Sequence, residues 1–189
     1  MINNYLQNCD STTAGNDRRI FVAPYGAIDS VTFDGENKVT AIDMINTGAT
    51  FAELQADWDS VGFEREGEAA RSFVSTQTLT ASFTNLNAEL ITLMEQLRGF
   101  TVCGLVILRK DGQGRYFLSG YAPVEKSAQN RPYTRIEDTF NTGTEITEVD
   151  EANRQTINFI RTSGTEEYML DESLAATMDA KTADFVNFN

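Results

Sequence analysis

The sequence predicts a mainly β, α+β fold: an antiparallel β-sandwich or barrel with one packed α-helix at about residues 87–98. Three observations carry that prediction. Arg71 to Thr84 alternates apolar and polar side chains along its length. Turn sequences of the Asp-Gly kind separate runs rich in β-branched residues. One segment alone combines a full helical stripe with signals at both of its ends. The chain divides accordingly into an N-terminal arm (1–17), one β-sandwich domain (18–165) and a C-terminal helix or arm (166–189).

Residues 1–17 are rich in Asn, Ser, Thr and Asp and carry little periodicity. Regular structure begins at Arg18 to Pro24, a short β-rich run that proline stops. In Ala27 to Phe33, Ile28, Ser30 and Thr32 alternate with Asp29, Val31 and Phe33. The turn Asp34-Gly35-Glu36-Asn37 then leads into Lys38 to Ile45. Asp-Gly between two such runs is a hairpin signal, because Gly35 adopts a positive φ at little cost. Residues 46–62 stay open between two readings. Phe51, Leu54 and Trp58 are spaced as one helical face, yet a loop with docking aromatics fits equally.

Arg71 to Thr84 is the clearest strand. Phe73, Leu79, Ala81 and Phe83 fall on one face; Val74, Thr76, Thr78, Thr80 and Ser82 fall on the other. The helix follows, with Asn87 as N-cap and Glu89 in the first turn. Its stripe is read as Leu90, Ile91, Met94 and Leu97, with Arg98 and Gly99 at its end. Phe100 to Leu108 is apolar at both parities and predicts a strand buried on both faces. Arg109 to Gly114 turns the chain and Arg115 to Ala122 returns, forming a glycine hairpin. Tyr133 to Thr142 and Asn153 to Arg161 supply two more strands. Tyr168 to Asn189 is either a helix with Leu170, Leu174, Met178 and Phe185 on one side, or an extended arm.

With 189 residues and an apolar share of 41%, the chain has enough material for a core without metals or disulfides. A domain of roughly 150 residues buries about 70% of its unfolded surface. Cys9 and Cys103 are too few and too far apart for a disulfide framework. The first nine residues hold no basic region followed by an apolar one, and no apolar run approaches a membrane span; a soluble protein is expected.

The charge of −13 is uneven. Residues 1–97 hold 5 basic and 14 acidic side chains, 98–135 hold 7 and 2, and 136–189 hold 3 and 12. Such a balance argues against a phosphate-neutralising surface for nucleic acid. The basic middle, with Arg109, Lys110 and Arg115, is either a solvated hairpin or a surface that meets the acidic flanks of a neighbouring copy.

There is no histidine. That removes imidazole-based nucleophilic catalysis and His-ligated zinc. Two cysteines do not build a four-cysteine site, and no phosphate loop or dinucleotide fingerprint is present. The carboxylates at Glu145, Glu148, Asp150 and Glu151, and at Glu64, Glu66 and Glu68, lack the spacing of a calcium loop. No cofactor, no metal and no enzymatic activity are expected. What remains are surfaces: Phe51 and Trp58 in a polar segment, and Phe185 and Phe188 near the C-terminus, are candidate interface anchors.

The order of elements resembles the bacteriophage tail-tube fold, which is shared with the tube protein of type VI secretion. The resemblance rests on the Thr-rich strand ending at Thr84, the helix Asn87 to Arg98, the apolar strand Thr101 to Leu108 and the glycine hairpin. It covers roughly residues 18–161. It implies a virion structural subunit whose copies, six to a ring, join their sheets around a channel and stack. Residues 1–17, 46–62 and 168–189 would bridge successive rings, and Thr76, Thr78 and Thr80 would line the channel or sit against the helix. Partners would be further copies and other tail or neck proteins, with DNA passing without specific binding and no membrane involved. Tail terminator and neck ring remain alternatives within the resemblance. A non-viral, monomeric β-sandwich binding module is the alternative outside it.

Overall fold

β1 (Arg19–Pro24) is apolar from Ile20 to Ala23, and all four of those side chains are buried. A strand of this kind needs a core on each face, and the structure provides two. The structure, a computed structural model, describes residues 17–46, 51–57, 60–67, 75–83, 88–100, 104–121, 135–136, 155–163 and 167–180. Its strands form antiparallel pairs. The elements following β1 are β2 (Ile28–Phe33), β3 (Val39–Met44), β4 (Ala52–Gln55), β5 (Gly62–Gly67), β6 (Ser75–Phe83) and helix α1 (Ala88–Gly99). Then come β7 (Leu105–Lys110), β8 (Tyr116–Ser119), β9 (Arg135–Ile136), β10 (Gln155–Ser163), β11 (Tyr168–Met169) and helix α2 (Glu172–Ala180).

A five-stranded sheet in the order β11-β8-β7-β1-β4 forms the middle of the molecule. A four-stranded sheet, β5-β6-β10-β9, and the hairpin β2-β3 complete the β structure. Side chains of the middle sheet alternate between the two cores. Ile20, Val22, Leu105 and Ile107 join Leu79, Ala81, Phe83, Ile157 and Phe159 of the four-stranded sheet and one face of α1. Phe21, Ala23, Val106 and Leu108 join Ile28, Val39 and Ile42 of the hairpin and Leu174 and Met178 of α2. The mainly β, α+β architecture is therefore as the sequence predicts. A covering layer on each face of one sheet explains why β1 and β7 are apolar at both parities.

Three of these elements differ from expectation, and for a fourth the sequence leaves two readings open. Residues 52–55 are neither helix nor loop but strand β4, paired with β1 through Leu54↔Ile20 and Ala52↔Val22. The helical spacing of Phe51 and Leu54 misleads because the two face opposite cores. In α1 the buried stripe is Leu90, Leu93, Met94 and Leu97, whereas Ile91 is 47% exposed. Those four positions span an arc of about 100°, and Ile91 lies beyond its edge. In β2, Ile28, Val31 and Phe33 all meet the second core despite opposite parity, because the register shifts between Ile28 and Ser30. Lastly, of the two readings of the segment from Tyr168, the helix holds over Glu172–Ala180, with Leu174 and Met178 buried; Phe185 lies outside the described residues. β11 extends the middle sheet beside β8, and Asp171 caps α2 by accepting the Leu174 N–H on Oδ1 at 2.7 Å.

Two hairpins share one turn. In Asp34 to Lys38 and again in Asp111 to Arg115, the aspartate Oδ1 accepts backbone N–H bonds from the residues two and four positions on. The fourth residue of each turn takes the left-handed conformation: Asn37 at φ 61° and Gly114 at φ 84°. In the first turn that role therefore falls to Asn37 and not to Gly35. Gly114→Val is expected to cost about 1–2 kcal/mol for forcing a β-branched residue into that region. Asn37→Gly should change stability by less than about 0.5 kcal/mol; urea denaturation of both variants checks the contrast.

Candidate interaction surfaces

The basic run on β7 and its turn is occupied from within the chain. Arg109, 8% exposed, makes a bidentate pair with Glu167: Nε to Oε1 at 3.0 Å and Nη2 to Oε2 at 2.5 Å. Its guanidinium carbon stands 3.9 Å from the ring centre of Phe63 and 4.6 Å from that of Phe117. A planar cation suits both contacts at once, which an ammonium would not. Lys110 points to the opposite face, where its Nζ donates to Asp179 Oδ1 at 2.5 Å. Tyr116 Oη donates to the same oxygen at 2.8 Å. Arg115 grips Asp111 Oδ2 at 2.8 and 2.6 Å. The three cations expected at a contact between copies thus meet acidic partners of their own chain, two of them in the acidic C-terminal third.

Protonation follows from this geometry. Burial and the Asp179 carboxylate push the Tyr116 phenol well above its ordinary range. For Asp179, burial works to raise the carboxyl, but hydrogen bonds from Lys110 and Tyr116 outweigh it and hold it below its usual 3.8. A carboxylate depressed in the folded state stabilises fully above its unfolded value and loses that contribution as pH falls through the folded one. Docking of α2 is therefore expected to be pH-independent above about pH 5 and to weaken only in stronger acid. Following the exchange protection of α2 amides from pH 7 to pH 3 checks this, since a loss beginning near neutrality contradicts it.

Beside Arg109, between the middle and four-stranded sheets, lies a cavity of about 10 Å³ bordered by Gln77, Arg161 and Glu167. It has room for one water molecule and none for an organic substrate. Among the described residues no three His, Cys, Asp or Glu side chains converge as a metal site would require.

The second surface is the outward face of the four-stranded sheet. Thr76, Thr78 and Thr80 of β6 are half-buried there, on the side away from α1 and from the core residues Leu79, Ala81 and Phe83. β5 places Glu66, Glu64 and Gly62 opposite them, and β10 places Thr162, Ile160 and Asn158. Hydroxyls bond across strands, Thr76 with Thr162 at 3.3 Å and Thr80 to Asn158 Oδ1 at 3.0 Å. Over β5, β6 and β10 this face carries two carboxylates, and β9 sets Arg135 in register with Ile160.

Comparison of the chain with family models, with curated proteins and with solved structures finds no match. The surfaces must therefore be read on their own chemistry. Phe51, expected as an interface anchor, is 1% exposed and belongs to the second core. Its neighbour Glu53, 2% exposed, is held by Arg19 at 2.7 Å. Trp58, Phe185 and Phe188 lie outside the described residues, as do the acidic positions 145–151. Sequence reading missed the pairing of Arg109 with Glu167. The only signal for it was the charge contrast between the basic middle and the acidic C-terminal third.

Proposed function

We propose that the chain is a non-catalytic structural subunit of a bacteriophage tail tube, assembled as stacked rings around a channel for DNA. One observation supports this above the others: the outward face of β5, β6 and β10, with its Thr ladder and Glu64 and Glu66. Were neighbouring sheets joined at their edges, that face would surround a channel. Thr76 and Thr80 bond across strands. The charges that β5, β6 and β10 set on this face are negative, with Arg135 of β9 in register beside Ile160 as a cation towards its far edge. The central strands therefore repel phosphate and offer DNA little to grip. Joining also pairs β5, an exposed strand at the edge of its sheet, which is a pairing hazard in an isolated subunit. Tail terminator and neck ring would use the same face. Further copies, and other tail or neck proteins of the virion, are the partners in this reading, and no membrane is needed. Among the described residues no helix is long and apolar enough to cross one.

A second reading is a monomeric β-sandwich binding module. It is favoured by the internal pairing of Arg109, Lys110 and Arg115, which withdraws the charge contrast that self-association would have used. Solution mass across a range of concentration and salt, with negative-stain imaging at high concentration, separates the two. Rings or tubes are expected. A particle that stays monomeric under every condition overturns the tube reading and leaves the binding module.

A further inference from the structure

The C-terminal element of the described chain is fastened in an unusual way. Arg109 and Lys110 are consecutive on β7 and so point to opposite faces of the middle sheet. Arg109 holds Glu167, immediately before β11; Lys110 holds Asp179, one residue before the end of α2. Residues 167–180 therefore pass around the β8 edge of the sheet, with one ionic clamp at each end.

Between the clamps the backbone pairing is short. β11 pairs with β8 through two positions only, Tyr168↔Leu118 and Met169↔Phe117. Leu170 N–H donates to Tyr116 O and Asp171 N–H to Val39 O, both at 2.9 Å. Leu170, Leu174 and Met178 are buried in the second core, and Tyr168 and Ala175 pack against it, the Tyr168 ring centroid 4.8 Å from that of Phe33. By contrast, β6 and β10 pair over nine positions. With 9 residues, α2 is too short to persist as a helix in water without its docking surface. Once detached it has no structure to retain, so docking and ordering go together.

We propose that residues 167–180 are a latched strap that undocks as one unit while the rest of the domain stays folded, uncovering the outer edge of β8. In the closed state the strap satisfies that edge and covers the apolar surface of Val39, Ile42 and Leu118. It keeps a pairing-competent strand out of reach of other chains. The inference does not depend on the tail reading, since a monomeric module needs the same cover.

Hydrogen exchange of the full chain, resolved by residue, tests it. In the unsubstituted protein the amides of Leu170, Asp171, Leu174 and Ala175 should exchange ahead of those of β6 and β10, as a sub-global opening. Lys110→Gln and Asp179→Asn should each accelerate the strap amides about tenfold and leave β6 and β10 unchanged. Arg109→Gln should accelerate the strap amides from the other end, but it also leaves Glu167 buried without this cation and lowers global stability, so β6 and β10 do not serve as its control. If burial of Arg109 prevents folding of that variant, the first two variants decide. Strap amides that exchange only at the rate of β6, or exchange unaltered by Lys110→Gln and Asp179→Asn, would overturn the proposal.

Discussion

Glu167→Leu is expected to destabilise the domain by about 3–5 kcal/mol, the cost of leaving a buried charge without its partner. The magnitude follows from where the pair sits. The side chains of Arg109 and Glu167 are 9% and 7% exposed, and two aromatic rings flank the guanidinium. An exposed pair such as Arg115 with Asp111, whose arginine side chain is 51% exposed, gains at most about 1 kcal/mol. Replacing both buried partners by apolar residues, Arg109→Met with Glu167→Leu, should restore most of the loss, because neither member of the pair then stays charged after the other is removed. A double-mutant cycle in urea reads both quantities, provided the m-value stays constant. A single-variant cost under about 1 kcal/mol would place the pair with the surface bridges instead.

Phe21→Ala is expected to cost about 3–5 kcal/mol. Phe21 is fully buried on the central part of the middle sheet and meets the Tyr116 ring at 6.3 Å between centroids. Its strand is hydrogen-bonded on both sides, to β4 and β7, so the backbone has little freedom to collapse into the cavity left behind. The companion variant is Ile91→Ala, a residue of similar hydrophobicity that the sequence assigned to the helix stripe. Since Ile91 is 47% exposed and outside both cores, its truncation should change stability by no more than about 0.5 kcal/mol. Thermal and urea unfolding of the two variants compares them directly. Equal losses would mean that the face of α1 turned to the sheet is the one the sequence indicated.

Much of the fold was legible along the chain. The alternation of Leu79, Ala81 and Phe83 with Thr76, Thr78 and Thr80 placed β6 and both its faces. The two Asp-Gly turns placed their hairpins, and the double-sided apolar run placed β7 as an interior strand, although the strand starts at Leu105 and takes in Arg109 and Lys110, expected in the turn. Less of the candidate surface was legible. That Arg109, Lys110 and Arg115 matter electrostatically could be read from charge density. That their partners are Glu167, Asp179 and Asp111 could not, since two of those partners lie 58 and 69 residues away.

The division has a physical reason. Periodicity, turn chemistry and helix capping depend on residues close to one another in the chain, so the sequence by itself determined β1 to β3, β6 to β8 and β10, the hairpins, α1 and the absence of imidazole chemistry. Burial and pairing depend on what arrives from elsewhere in the chain. Only the tertiary structure decided that Phe51 is core, that residues 52–55 form a strand against β1, and that Leu93 and not Ile91 faces the sheet. It alone decided that the basic middle is closed by its own C-terminal strap, because a cation takes whichever carboxylate the fold brings within reach.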